Sequence, residues 1–95
     1  MTEDEVSVTR RLDIVNEKGL HARASARFVE TVERFDARVT VSREGQRVTG
    51  DSIMGLLMLA AAKGTFIDVA AEGPEAGAVI AALEELVANR FGEGR

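Results

Sequence analysis

The 95-residue sequence predicts an α+β fold, a two-layer open-faced β-sandwich in which three helices cover one face of a four-stranded, mostly antiparallel sheet. Three observations support this prediction. Apolar patterns of period two and of period 3.6 succeed one another in the order βαββαβα. A chain of this length can bury only a thin core, which suits two packed layers. Aromatic residues make up only 4% of the chain, so the core must be largely aliphatic.

Four segments alternate apolar and polar residues as strands do. They are the stretch from Glu5 to Val15, which is clearest over residues 12–15, then residues 37–42, a short segment around Val48, and residues 65–70. The turn-forming pair Glu44-Gly45 joins the second and third segments, which therefore form a β-hairpin.

Three further segments have the apolar period of an α-helix. They cover residues 22–35, residues 53–62, and a stretch that opens at Gly73-Pro74-Glu75 and runs to about Asn89. We expect Ser52 to cap the second helix and Lys63-Gly64 to end it. Pro74 suits the first turn of the third helix, where no backbone N–H is needed. The whole chain, residues 1–95, forms one domain, and residues 1–4 and 92–95 are expected to be flexible.

Composition excludes several classes of function. The formal charge of −4 and the pI of about 5.0 argue against a nucleic acid as partner, because phosphate backbones attract basic surfaces. The sequence has no cysteine, which excludes disulfides and thiolate chemistry. The longest apolar run, residues 53–62, is too short to span a membrane, and the acidic start of the chain is unlike a secretory signal. We therefore expect a cytoplasmic monomer without a metal or a cofactor.

The first predicted helix carries cations at its positive end. Arg23 lies in the first turn and Arg27 in the second, where the helix dipole disfavours them. Such an end binds anions through free backbone N–H groups, and Gly19 just upstream would allow a close approach. His21, the only histidine, stands at or beside the N-cap. Positive surroundings favour its neutral imidazole, the nucleophilic form, so this site suits phosphoryl transfer.

These residues leave several interpretations open. His21 could accept a phosphoryl group, or His21 and Arg23 could bind an anion non-covalently in a small regulatory domain. The chain could also be a structural interaction module that uses only its apolar second helix. A surface histidine that merely begins a helix and has no chemical role fits the pattern as well.

Two motifs of the sequence resemble those of a known family. Residues 19–29 (GLHARASARFV) look like the active-site signature of HPr, the histidine-containing phosphocarrier family of the phosphoenolpyruvate-dependent phosphotransferase system. Residues 50–60 (GDSIMGLLMLA) resemble the regulatory-serine motif of the same family. Residues 63–65 and 71–73 are similar to its later landmarks, and the resemblance covers residues 12–88.

The resemblance implies a role for each motif residue. His21 would carry the phosphoryl group on a ring nitrogen and Arg23 would stabilise it, within a phosphate-binding helix start formed by Gly19, Ala22, Arg23 and Ala24. Phospho-enzyme I would be the donor and an enzyme IIA-type protein the acceptor. The protein would then be a phosphoryl-transfer carrier with a phosphohistidine intermediate rather than a stand-alone enzyme.

The second predicted helix has no charged or polar side chain on any face. One apolar stripe can be buried on the sheet, whereas the other is either covered by loops and the neighbouring helix or left as a partner site. By resemblance, the docking surface for enzyme I and the acceptors comprises Ala24, Arg27, Ile53, Met54 and Leu57.

Two positions qualify the resemblance. Sugar-transport members usually have proline after the motif arginine, but this chain has Ala24, which is similar to the nitrogen-related (NPr-like) and alphaproteobacterial members that act in regulation. Ser52 has two interpretations, a helix cap and, by resemblance, a regulatory phosphorylation site for an HPr kinase/phosphorylase.

Overall fold

The computed structural model describes residues 7–93 of the chain. Its elements have the predicted order βαββαβα, with a short 3₁₀ turn after the last helix. The strands are β1 (Ser7–Asp13), β2 (Arg38–Arg43), β3 (Gln46–Thr49) and β4 (Phe66–Glu72), the helices are α1 (Ala22–Glu33), α2 (Ile53–Met58) and α3 (Ala76–Ala88), and the C-terminal turn is Arg90–Gly92.

The four strands form one sheet in the order β1-β4-β2-β3, and all three neighbouring pairs are antiparallel. Leu12 of β1 lies opposite Ile67 of β4, while Val69 of β4 lies opposite Val41 of β2. These four side chains are buried, because the pleat directs alternate residues of each strand toward the helices. The two-layer fold predicted from the sequence is confirmed.

The core between sheet and helices is largely aliphatic, as the composition predicts. Phe28 and Phe91 are the two buried aromatic side chains of residues 7–93. On α1, Phe28 and Val32 are buried while Arg23 and Arg27 are exposed, which confirms the predicted amphipathic helix. No helix in the described part of the chain is long and apolar enough to cross a membrane.

The bounds of the first strand differ from the prediction. β1 ends at Asp13 rather than Val15, which is 38% exposed. Ile14 still donates its N–H to Thr65 and accepts from the Gly64 N–H, each at 2.9 Å, but the chain then leaves the sheet. The predicted start at Glu5 lies outside the described residues.

The second helix is shorter than predicted. α2 ends at Met58, with Leu59 as its C-cap, instead of continuing to Ala62. Ala60 adopts a left-handed conformation with φ of 52°, which turns the chain out of the helical path. The prediction that Lys63 and Gly64 end the helix is therefore wrong.

The third helix begins later than predicted. Its first residue is Ala76 and its N-cap is Glu75, so Pro74 precedes the helix and is not in its first turn. The Glu75 carboxylate accepts the Asp36 N–H at 2.7 Å. This contact ties the start of α3 to the loop that follows α1, and a backbone N–H distant in sequence thus helps to set the helix boundary.

Ser52 caps α2, as the sequence predicts: its Oγ accepts the Gly55 N–H at 3.0 Å. We expect Ser52→Ala to lower the free energy of unfolding by about 1 kcal/mol, because that N–H loses its acceptor. Urea unfolding measures the change. Ser52→Asp keeps a capping oxygen and should retain most of the stability. Equal losses in both variants would contradict the capping role.

Candidate functional site

The start of α1 is open toward solvent. His21 is the N-cap, with extended backbone (φ −81°, ψ −176°) and no capping hydrogen bond from its side chain. Its carbonyl accepts the Ser25 N–H at 2.8 Å, which leaves the N–H groups of Ala22, Arg23 and Ala24 without an intrahelical acceptor. The first turn of α1 contains no acidic residue. The positive end of the helix is therefore available to an anion.

The loop before His21 rests on the segment that follows α2. Gly19 has a φ of 64°, and a Cβ atom there would lie 2.5 Å from the Ala61 carbonyl oxygen, so only glycine fits. The next residue, Leu20, donates its N–H to that oxygen at 2.8 Å. The close approach that we predicted for Gly19 is thus toward the protein's own backbone rather than toward an anion.

Asn16 is a site residue that sequence analysis missed, because it lies in a segment assigned only as a loop. Its side chain is completely buried, and Nδ2 donates to the Gly19 carbonyl at 2.8 Å and to Glu93 Oε1 at 3.1 Å. Gly19 also donates its own N–H to the Asn16 carbonyl at 3.2 Å. The Gly19 N–H, the backbone group that could donate to a phosphate oxygen, is therefore already engaged.

The second missed residue is Glu93, which we had placed in a flexible tail. Its Oε2 is hydrogen-bonded to His21 Nε2, and the two side chains are only 17% and 25% exposed. Within residues 7–93, His21 Nδ1 has no hydrogen-bond partner. The sequence places only positive groups near His21, whereas the structure adds the Glu93 carboxylate. Of the tail expected to be flexible, residues 94 and 95 lie outside the described residues, as do residues 1–4.

The Glu93 carboxyl is stabilised as its anion. The hydrogen bond with His21 lowers the pKa of Glu93 below its usual value, and partial burial opposes this effect. The hydrogen bond from Asn16 and the charges of His21 and Lys18 lower the pKa further. Glu93 is therefore a carboxylate at neutral pH.

This lowered pKa predicts a pH-dependent contribution to stability. A carboxyl with a lowered folded-state pKa stabilises the fold above its unfolded-state pKa, and the stabilisation disappears as the pH falls through the folded-state value. We expect Glu93→Gln to be less stable than the wild type at neutral pH and equally stable in acid. Urea unfolding across this range measures the difference. Glu85→Gln, an exposed substitution on α3, is the matched control; a Glu93 effect independent of pH would contradict the prediction.

The two predicted arginines lie beside this site. Arg23 and Arg27 are exposed, and neither forms an ion pair within the part of the chain that the structure describes. A Cβ atom at Gly92 would lie 3.7 Å from a guanidinium nitrogen of Arg27, so Arg27 borders the C-terminal tail. Arg23 remains free to turn toward an anion at the start of its own helix.

An exposed apolar patch on α2 comprises Ile53, Met54 and Met58, which are 40%, 69% and 66% exposed. Leu57 is half-buried, and Leu56 packs into the core. The patch is thus uncovered by other described residues, and α2 packs against α1, the helix that begins at His21.

Ala24, also predicted to dock partners, is completely buried. It lies on the core face of α1, as does Phe28 one turn later. Its side chain therefore cannot contact a partner, and only its backbone N–H remains for the site.

Together, these features define a single open-faced β-sandwich with one histidine at an uncapped helix start. The family model described as the phosphorylation site of the PTS HPr component matches residues 8–89. The phosphocarrier protein HPr of Neisseria meningitidis serogroup A is 47% identical over 83 residues, which cover 87% of this chain and 93% of the relative. The HPr of Xylella fastidiosa strain Temecula1 is 43% identical over 93 residues, or 98% of each chain.

Solved structures agree with these relatives. HPr-C-His from Thermoanaerobacter tengcongensis superposes with a TM-score of 0.83 at 35% identity, covering 96% of this chain and 98% of that one. HPr from Bacillus anthracis gives a TM-score of 0.82 at 34% identity over 86% of this chain and 98% of the other. The chain belongs to the HPr family of the phosphotransferase system.

Proposed function

We propose that this protein is a phosphocarrier of the phosphotransferase system that accepts a phosphoryl group on Nδ1 of His21 and passes it to an acceptor protein. The observation that carries this proposal is the placement of Nδ1. It has no partner within residues 7–93, while the other ring nitrogen is held by Glu93. It belongs to the N-cap residue of a helix whose first turn has free N–H groups. Membership in the HPr family supports the same function.

The residues suggest how the transfer proceeds. The lone pair of His21 Nδ1 attacks phosphorus, an N–P bond forms, and the bond from phosphorus to the donor breaks with its electron pair leaving on the donor. The free N–H groups of the first turn and the Arg23 guanidinium stabilise the phosphoryl oxygens. Ala24 contributes an N–H that the proline common in sugar-transport members would lack. Transfer to the acceptor reverses these steps.

The proposed partners are phospho-enzyme I as donor and an enzyme IIA-type protein as acceptor. The exposed apolar patch on α2 supports docking next to the histidine, since methionine surfaces adapt to several partners. Ile53, Met54 and Arg27 would make contacts, with half-buried Leu57 at the margin. We propose that the protein acts in the cytoplasm as a monomer and without a cofactor; size-exclusion chromatography with light scattering tests the oligomeric state.

The nitrogen-related, regulatory branch remains our proposal for the pathway, on the strength of Ala24. We further propose that an HPr kinase/phosphorylase modifies Ser52. A phosphate there would interact favourably with the positive N-terminal end of α2. It would also place negative charge beside Ile53 and Met54, which should weaken docking. Incubation with purified kinase and ATP tests this, with Ser52→Ala as control; no incorporation into the wild type would contradict it.

Incubation of the wild type with enzyme I and phosphoenolpyruvate tests the proposed function. We expect a mass gain of one phosphoryl group that is stable in alkali and labile in acid, and no gain without enzyme I. The main alternative is a domain that binds anions non-covalently at the same free N–H groups. It would be favoured if the protein stayed unlabelled by an enzyme I that labels a known HPr, while phosphate shifted the amide signals of residues 22–24.

A further inference from the structure

We infer that Glu93 is a positioning residue for phosphoryl transfer: it holds the His21 ring by Nε2, so that Nδ1 is directed to the incoming phosphoryl group. This inference rests on the proposed function and adds a residue from the far end of the chain. Glu93 and His21 are separated by 72 positions in sequence, yet their side chains are hydrogen-bonded and largely shielded from solvent.

Both carboxylate oxygens of Glu93 are engaged. Oε2 binds His21 Nε2, and Oε1 accepts from Asn16 Nδ2 at 3.1 Å. The same Asn16 amide donates to the Gly19 carbonyl at 2.8 Å, two residues before His21. The hydrogen bonds therefore form a closed circuit from the ring, through Glu93 and buried Asn16, back to the loop that carries the ring. Such a circuit fixes the orientation of the imidazole as well as its position.

The backbone conformation of residues 90–92 places the Glu93 carboxylate beside His21. Arg90, Phe91 and Gly92 adopt left-handed conformations with φ of 55°, 56° and 81°. Such conformations are unfavourable for arginine and phenylalanine, but the Phe91 side chain is 1% exposed and anchors the turn in the core. The Glu93 N–H then donates to the Arg90 carbonyl at 2.9 Å. The chain thus leaves α3 and returns to the start of α1.

A carboxylate at this place can act as the acidic member of a catalytic triad does, by orienting the neighbouring histidine. A hydrogen bond from Nε2–H to Glu93 fixes the tautomer that leaves a lone pair on Nδ1. When Nδ1 forms its bond to phosphorus, the electron pair of the donor's bond leaves with the donor, and Nε2 keeps its proton. The ring gains positive charge in this step, and the Glu93 carboxylate stabilises that charge from the edge opposite the phosphoryl group.

The test compares Glu93→Ala and Glu93→Gln with the wild type and with Glu85→Ala, which removes an exposed carboxylate of α3. Two properties are measured: the rate of phosphorylation by saturating phospho-enzyme I, and the ring 15N chemical shifts of His21, which report its tautomer. We expect Glu93→Ala to slow phosphorylation about tenfold, the lower end of the losses seen when a carboxylate that holds a metal-bound histidine is removed, and to lose the preference for the Nε2–H tautomer. Glu93→Gln should restore the tautomer through its amide oxygen but only part of the rate. Glu85→Ala should match the wild type.

Unchanged rate and unchanged ring shifts in Glu93→Ala would overturn the inference. A slower rate with an unchanged tautomer would also overturn it, because Glu93 would then act by charge alone and not by positioning. If the wild type is not phosphorylated at all, the proposed function fails and the inference falls with it. The ring shifts need no donor, so they separate that failure from one confined to Glu93. Thermal unfolding of each variant verifies that it is folded.

Discussion

Replacement of His21 by alanine is expected to abolish phosphoryl acceptance and to leave the fold intact. The sequence contains no other histidine that could accept the phosphoryl group as a phosphohistidine. The side chain makes no capping hydrogen bond to α1 and is not part of the hydrophobic core, so its removal leaves the core packing unchanged. Intact mass spectrometry after incubation with enzyme I and phosphoenolpyruvate measures the loss, and circular dichroism verifies the fold.

Arg23→Ala is the informative companion variant for this experiment. Arg23 is an exposed residue of the same helix start, and its guanidinium would stabilise the phosphoryl oxygens without forming a bond to phosphorus. We therefore expect this variant to be phosphorylated slowly but completely. Acid-labile label that persists in His21→Ala would show that the site assignment is wrong. Label on Ser52 would be distinguishable, because a serine phosphate ester survives acid.

The second large effect is expected from Phe91→Ala, which should lower the free energy of unfolding by about 3 kcal/mol. Phe91 is 1% exposed and belongs to the main core, so truncation leaves a cavity where the tail meets the helices. The same substitution at Phe66, which is 41% exposed, is the matched control and should cost much less. Urea unfolding measures both changes.

Phe91→Ala should also slow phosphoryl acceptance, because the anchor of the tail is lost and Glu93 no longer reaches His21. Phe91→Leu refills most of the volume and should recover much of both properties. A loss of stability no greater than that of Phe66→Ala would show that the tail is not packed as described.

The sequence predicts the fold well because its elements follow from local periodicity. The α1 face that contains Phe28 and Val32 is visible in the spacing alone, and so is the capping serine of α2. The end of α2 was not predictable in the same way. It depends on Ala60, and alanine carries no signal for a left-handed conformation. Contacts distant in sequence flank Ala60: Arg43 donates to the Leu59 carbonyl at 3.0 Å and the Leu20 N–H to the Ala61 carbonyl at 2.8 Å.

Only part of the candidate site could be predicted from the sequence, for a related reason. His21 and Arg23 lie within one short motif, whereas Asn16 and Glu93 join the site through contacts that span as many as 77 positions. Nothing local distinguishes Glu93 from a solvent-exposed carboxylate near the end of a chain. The burial of Ala24 was not predicted, because the family motif implies that Ala24 belongs to the docking surface but does not show which face of α1 packs against the core.

The support of the histidine loop by backbone atoms bears on how this protein can evolve. Leu20 hydrogen-bonds to the carbonyl of Ala61, and Gly19 lies against the same peptide. Side-chain substitutions in the exposed patch of α2 leave those atoms unchanged. The proposed docking surface can therefore diverge without displacing the loop that holds His21.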